Sequence, residues 1–275
     1  NDQFVIIDND DLDPVTGEFA GLADKSEFLS GNHWFRINYG PDTGNNDVVL
    51  TYLGENAAPE GTDRGIVINE DTSHTFSSAD FGFTDANSGD ALKAVRIDTQ
   101  TLTAGSTLEL SNLAVIDGQV IAAPEIGNLV YTPAPNSNGT ALASFTFSVQ
   151  DSADVFDATP NTITIDVVSV GDAPAGADKT LTMNQDSTLT LTAADFGFSD
   201  PDDSPADNFA GVTITALPAA GTLKLDGVAV SAGDFVTAAD VNASKLTFDP
   251  ATGEHGDGYS SFTFQIQDDG GYGET

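Results

Sequence analysis

The residues in this sequence whose types and spacing could do chemistry are carboxylates. In ADFGFTDANSGD (79–90), Asp85, Asn87 and Asp90 crowd one turn-forming stretch, and in ADFGFSDPDDSPAD (194–207), Asp200, Asp202 and Asp203 do the same. Calcium takes about six to eight oxygen ligands from carboxylates and carbonyls, and tolerates irregular geometry, so such loops suit it as donors. Further acids flank strand-like runs. Glu70 and Asp71 precede one run, and Asp151 and Asp154 follow SFTFSVQ; in the second stretch of chain Asp186, Asp268 and Asp269 take the corresponding places. Asp172, in the VGDAPAGAD linker (170–178), could join the two sets. An EF-hand is not the template, because DANSGD supplies Asp85, Asn87 and Gly89 but no glutamate at the twelfth position. The IDNDDLD run (7–13) is equally acidic but has no counterpart elsewhere, which makes it a weaker candidate.

Other chemistry lacks its parts. The chain has no cysteine, so disulfides, thiolate metal sites and cysteine nucleophiles are out. His33, His74 and His255 stand apart, and neither Gly-x-Ser-x-Gly nor His-Glu-x-x-His occurs. The Asp-Phe-Gly inside ADFGF has none of the companion motifs of a kinase. A catalytic carboxylate pair is not singled out among 43 acidic residues, so the expectation is a protein that is not an enzyme. With 8 basic residues the formal net charge is −35, which repels phosphate backbones and acidic membrane surfaces and argues against nucleic acid as a partner. The same charge opposes compaction unless it is spread over a solvated surface or neutralised by cations. Seventeen phenylalanines within 39% hydrophobic content point to a folded chain. No run reaches the roughly 18 apolar residues of a membrane helix, and Asn1 opens without a basic and apolar leader, as expected of an excised or processed piece.

The elements that must position these acids read as strands. TLTLTAADF (188–196), VTITAL (212–217), SFTFSVQD (144–151) and NTITIDVVSV (161–170) alternate apolar residues with Thr or Ser, and Asn-Gly, Asp-Gly and Pro-Asp-Asp turns punctuate them. The pattern predicts an all-β fold of immunoglobulin-like sandwiches, in which loops distant in sequence meet at one end. NEDTSHTFSSADFGFTD (69–85) and NQDSTLTLTAADFGFSD (184–200) share nine of 17 positions at an offset of 115, and the order continues in step through GSTLEL and GTLKL to SFTFSVQD and SFTFQIQD. Two copies of one module follow: 55–172 and 173–275, preceded by 1–54 as the end of another β domain that holds Trp34. Phe81 with Phe83 and Phe196 with Phe198 are expected to fill the cores by alternation. The second copy stops before a counterpart of NTITIDVVSV, so either the piece is cut from a longer chain or a neighbour supplies the strand. Any one carboxylate is explained by turn formation; the repetition of clusters at equivalent places points to calcium.

ADFGF with its acidic turn, LVYTPAPNSNG, SFTFSVQDS and NTITIDVVSVGDAP together resemble the cadherin-like tandem repeats of large bacterial calcium-dependent surface adhesins, over roughly residues 55–275. IIDNDDLDPVTGEFAGLADKSEF and FRINYGPDTGNNDVVLTYL resemble the closing segment of bacterial β-rich extracellular repeat proteins. The resemblance implies calcium at module junctions, with Glu70, Asp71, Asp85, Asp151 and Asp172 at the matching positions, and a location outside the cell. Gln185 replaces Glu70 in the second copy, and the linker reads Gly-Asp-Ala-Pro instead of Asn-Asp-Ala-Pro, which implies an altered second site. The expected function is a structural or adhesive segment of a surface fibre, stiffened by calcium, with neighbouring repeats, other copies and cell-surface or matrix ligands as partners. The alternative is a β-sandwich module that binds carbohydrate or protein, or that polymerises through the incomplete last domain.

Overall fold

The structure, a computed structural model, describes residues 2–7, 17–40, 47–87 and 89–270, so most of the IDNDDLD run lies outside the described residues. The fold is all-β, as the alternating pattern predicts. The chain divides into two compact units, Asn1–Pro135 with Gly139–Val168, and Asn136–Asn138 with Ser169–Thr275.

In the first unit, β1 (Gln3–Ile7), β2 (Glu27–Ser30), β3 (His33–Tyr39) and β4 (Val48–Glu55) form an antiparallel sheet in the order β1-β4-β3-β2. The rest of the unit is built from β5 (Arg64–Asn69), β6 (His74–Thr75), β7 (Ala94–Thr101), β8 (Thr107–Leu110), β9 (Leu113–Ala114), β10 (Gln119–Ala122), β11 (Leu129–Thr132), β12 (Gly139–Gln150) and β13 (Asn161–Val168). These make a five-stranded sheet, β10-β7-β12-β13-β5, and a four-stranded one, β6-β11-β8-β9. The inward positions of both sheets share one core, including Phe145, Phe147, Ile163 and Ile165 from the first and Leu108, Leu129 and Tyr131 from the second. Phe81 meets Phe147 edge to face at 4.9 Å between centroids, and Phe76 meets Phe145 likewise at 5.4 Å.

The second unit repeats this order. Its strands are β14 (Leu189–Thr190), β15 (Phe209–Ala216), β16 (Thr222–Leu225), β17 (Val228–Ala229), β18 (Phe235–Thr237), β19 (Leu246–Asp249) and β20 (Thr263–Asp268), with one short helix, α1 (Ala238–Asn242). Sheet β14-β19-β16-β17 matches β6-β11-β8-β9, and β18-β15-β20 matches the first three strands of the five-stranded sheet. Phe196 and Phe264 reproduce the edge-to-face contact at 4.9 Å.

The repeated ADFGF phrase is not strand, contrary to the expectation for 188–196. Strand β14 covers only Leu189–Thr190, and a 3-10 turn follows at Ala193–Asp195; its counterpart is Ser78–Phe81. A local hydrogen-bond box overrides the alternating pattern. Asp195 accepts from the Thr192 backbone N–H at 2.9 Å and from its hydroxyl at 2.7 Å, and Asp80 accepts both bonds from Ser77 at 2.8 Å. A cation completes each box: Arg64 Nε lies 3.2 Å from Asp80 and Lys179 Nζ 2.7 Å from Asp195. Burial pushes the Asp195 carboxyl up, but the Lys179 and Thr192 bonds outweigh it and hold the group below its ordinary value. The alternation expected of the two phenylalanine pairs gives way to a turn: Phe81 and Phe196 are fully buried, while Phe83 and Phe198 are half-buried.

Gly82 and Gly197, in the same phrase, turn the chain through left-handed φ of 58° and 63°, and a Cβ would stand 2.6 Å from Thr62 Cβ in one copy and from Ala177 Cβ in the other. Gly82→Ala should therefore lower stability by at least about 1–2 kcal/mol from the backbone alone. Gly65→Ala, in β5 with open space around it and no such φ, should not. Urea unfolding curves of the two variants check the contrast.

Candidate metal centres

Antiparallel pairing decides which acids meet. Gln150 at the end of β12 is opposite Ala94 at the start of β7, so the loop entering β7 and the residue leaving β12 share one end of the sheet. Phe209 in β15 is likewise opposite Asp268 in β20. The loop acids Asp85 and Asp90 thus converge on Asp151, and Asp200, Asp203 and Asp207 gather in the corresponding loop near Asp268.

In the first unit, one carboxylate oxygen from each of Asp85, Asp90 and Asp151 lies within 4.8 Å of the others. Two oxygens bound to a common calcium at about 2.4 Å lie no farther apart than about 4.8 Å, so the spacing fits that ion. Asp151 has no solvent exposure (0%). Its carboxylate accepts from Asn56 Nδ2 at 2.6 Å and from the Val155 N–H at 2.8 Å. Asn56 in turn accepts from Trp34 Nε1 at 2.8 Å, so the buried tryptophan orients the amide that holds Asp151. Asp90 Oδ1 accepts from the Ser152 N–H at 2.9 Å, and Asp85 Oδ1 from the Asn87 N–H at 2.6 Å. Asn87 faces away as an acceptor, taking the Ala57 N–H at 2.7 Å. Asp85 Oδ2 and Asp90 Oδ2 are shielded from solvent and have no partner. Burial raises the Asp85 carboxyl, the Asn87 bond counters it, and the charges of Asp90 and Asp151 add to the rise.

The second centre is more strained. Carboxylate oxygens of Asp200, Asp203 and Asp207 meet the same 4.8 Å limit. Asp200, Asp203 and Asp268 are each more than nine-tenths buried, and the Oδ2 of each is shielded and unpartnered. Asp203 Oδ1 accepts from the Asp172 N–H at 3.1 Å, and Asp268 Oδ1 from the Gly270 N–H at 3.0 Å. A Cβ at Gly270 would stand 1.8 Å from Asp207 Oδ2, so a side chain there would displace the Asp207 carboxylate. Burial first, then the charges of Asp203, Asp268 and Asp207 and a hydrogen bond with Asp203, push Asp200 up to about 6. Asp207 is raised by the same combination, burial first and then Asp203, Asp268 and Asp269. Among the described residues, no lysine or arginine pairs with any of these seven carboxylates.

Three other acids singled out in the sequence have partners of their own. Asp154 pairs with Lys93 at 2.5 Å. Asp186 accepts from the Gly253 N–H at 2.7 Å. Asp269 takes two bonds from Asn208, at 2.6 and 3.1 Å, which hold its carboxyl below its ordinary value. Asp71 is exposed with a left-handed φ of 56°, Asp202 is half-buried in the 200–207 loop, and Glu70 is buried at the end of β5 with its N–H on Val168 O at 2.9 Å. Sequence reasoning missed Asp207 and Asn56. Aligning DANSGD with DPDDSPAD from their following strands would have set Asp207 opposite Asp90; Asn56 carried no signal, because its role depends on Trp34 reaching it.

The sequence matches no family model, and no curated protein is significantly similar to it.

A carboxyl raised in the folded state binds its proton more tightly there than in the unfolded chain. In chelator, stability should therefore increase as pH falls from 7 through about 6 toward the ordinary Asp value of 3.8, until other carboxylates oppose it. Asp200→Asn, which removes the charge, should raise the metal-free Tm at pH 7 and flatten this rise. Melts across pH for both proteins read the effect.

Proposed function

We propose that this chain is a structural or adhesive β-repeat segment of a large extracellular bacterial surface protein, with calcium holding the acidic loops at the end of the sheet that contains β7 and β12 in the first unit and β15 and β20 in the second. One observation carries the reading: Asp85, Asp90 and Asp151 meet in the first unit, and Asp200 and Asp207, the counterparts of Asp85 and Asp90, meet with Asp203 in the second, where Asp268, the counterpart of Asp151, is near enough for its charge to raise both carboxyls. These groups hold shielded oxygens that no protein donor reaches. Carboxylates in that state are stabilised by a divalent cation that supplies the missing partner. Oxygen-only donors and the absence of sulfur favour a hard cation of calcium's type. Binding would order the 85–90 and 200–207 loops and add to folding free energy. The resemblance of ADFGF, SFTFSVQDS and NTITIDVVSVGDAP to cadherin-like repeats supplies the extracellular and adhesive part of the proposal.

Calcium at about 100 times its Kd should stabilise the chain by about 2.7 kcal/mol per site, and chelator should reverse the shift. Magnesium, which demands near-octahedral geometry at about 2.0–2.1 Å, should give less. The double variant Asp200→Asn, Asp203→Asn should lose the heat of binding assigned to the second unit in calorimetric titration and keep that of the first. A wild-type chain with neither heat nor a melting shift would sink the calcium reading.

A further inference from the structure

The two acidic centres differ at one position inside the loop. Ala57 and Asp172 stand at the offset of 115, each two residues before a proline, Pro59 or Pro174. Each donates its backbone N–H into its own cluster: Ala57 to Asn87 Oδ1 at 2.7 Å in the first unit, Asp172 to Asp203 Oδ1 at 3.1 Å in the second. Asn87 and Asp203 are therefore structural counterparts, although the uninterrupted offset sets Asn87 against Asp202; the longer 200–207 loop moves the match by one residue. Asp203 brings a carboxylate oxygen within 4.8 Å of oxygens from Asp200 and Asp207, and its Oδ2 is shielded without a partner. With Oδ1 of Asn87 engaged, the remaining atom is Nδ2, a donor that ligates no cation.

A second difference acts in the same direction. Both oxygens of Asp151 are engaged, Oδ1 by the Val155 N–H at 2.8 Å and Oδ2 by Asn56 Nδ2 at 2.6 Å. At the offset of 115 from Asn56 stands Gly171, which has no amide to give. Asp268, the counterpart of Asp151, takes the Gly270 N–H on Oδ1 and keeps a shielded, unpartnered Oδ2. The second centre thus gathers Asp200, Asp203, Asp207 and Asp268, the first only Asp85, Asp90 and Asp151. Asp200, Asp203 and Asp268 are 8%, 8% and 2% exposed, and each holds an oxygen that no donor reaches.

We infer, on the strength of the calcium reading proposed above, that the two centres fill in order: the second is the high-affinity site, the first the low-affinity one, and Asp203 in place of Asn87 sets the difference. Calcium affinity is tuned by the number of charged ligands. A fourth carboxylate adds its own attraction for the ion, and the repulsion it adds among its neighbours is what the ion removes. The weaker step falls at Asn56 and Ala57, directly after β4, which the first centre grips through Asp151 and Asn87.

The test titrates calcium into the chelator-treated 275-residue chain, with calorimetry and tryptophan emission read in parallel. Trp34, the one tryptophan of the chain, donates to Asn56 Oδ1 at 2.8 Å and so reports on the first centre. Calorimetry should resolve a tighter step without change in emission and a weaker one, at about tenfold higher free calcium or more, that carries the change. Asn87→Asp should tighten the weaker step about tenfold; Asp203→Asn should loosen the tighter step by a similar factor and leave the emission midpoint in place. Should emission stay silent, these two shifts in the calorimetric midpoints decide. Emission that changes fully in the tighter step, or variants that melt cooperatively yet keep the wild-type midpoints, would overturn the order of filling and leave calcium as the ligand. A wild-type chain with no heat at all would remove calcium and the order together.

Discussion

Like charges forced together by strand pairing are the constraint on which the acidic end of each unit depends. Once Gln150 is opposite Ala94 and Asp268 opposite Phe209, the acids of the intervening loop have little choice of neighbour. Two unit charges 4.8 Å apart repel by about 3–4 kcal/mol at an effective dielectric near 20, before any hydrogen bond is counted. The two units offset that cost differently. In the first, Asp151 is held by Asn56 and Val155, Asp90 by Ser152 and Asp85 by Asn87, and a charge-assisted bond contributes about 1.5–3 kcal/mol. In the second, four carboxylates share fewer donors, and burial together with the charges of Asp203, Asp268 and Asp207 pushes Asp200 up to about 6. A cation bound at each cluster would therefore relieve more repulsion in the second unit than in the first.

The second organising fact is cooperative. Strand β5 is held in its sheet through β13 alone, so its strand character is conditional on that neighbour. Residues 179–184 have a similar apolar pattern and a similar position relative to the ADFGF turn, yet remain irregular where no β13 counterpart lies beside them. The apolar positions match, although Ile66, Val67 and Ile68 are stronger strand formers than Leu181, Thr182 and Met183, and the cross-strand partner is present in only one of the two places.

Strand positions were legible wherever alternation met a partner: SFTFSVQD became most of β12, and NTITIDVV became β13. Alternation misled at TLTLTAADF, where Thr192 and Asp195 satisfy each other locally and end the strand early. That box is written in the sequence as Ser or Thr three residues before Asp, but the alternating Thr pattern masks it. At the acidic end, Asp85, Asp90, Asp151, Asp200, Asp203 and Asp268 were legible from composition and repetition. Asp154, Asp186 and Asp269 looked the same in sequence and differ only through a lysine or a backbone N–H that the fold brings near. Only three-dimensional neighbours separate a turn aspartate from a shielded one.

That separation also sorts four of the nine identities shared by the two copies. Asp80 with Asp195 builds the turn, Phe81 with Phe196 fills the core, and Gly82 with Gly197 supplies a φ that other residues resist. Each is accounted for by folding alone. Asp85 with Asp200 is not: both carboxyls are raised by burial and by neighbouring acids, and each keeps a shielded oxygen without a donor. An asparagine at either position would relieve the repulsion and still serve a turn. Asp85 and Asp200 are thus the shared pair that the folding of the bare chain disfavours, set at the same place in both units and crowded by neighbouring acids each time.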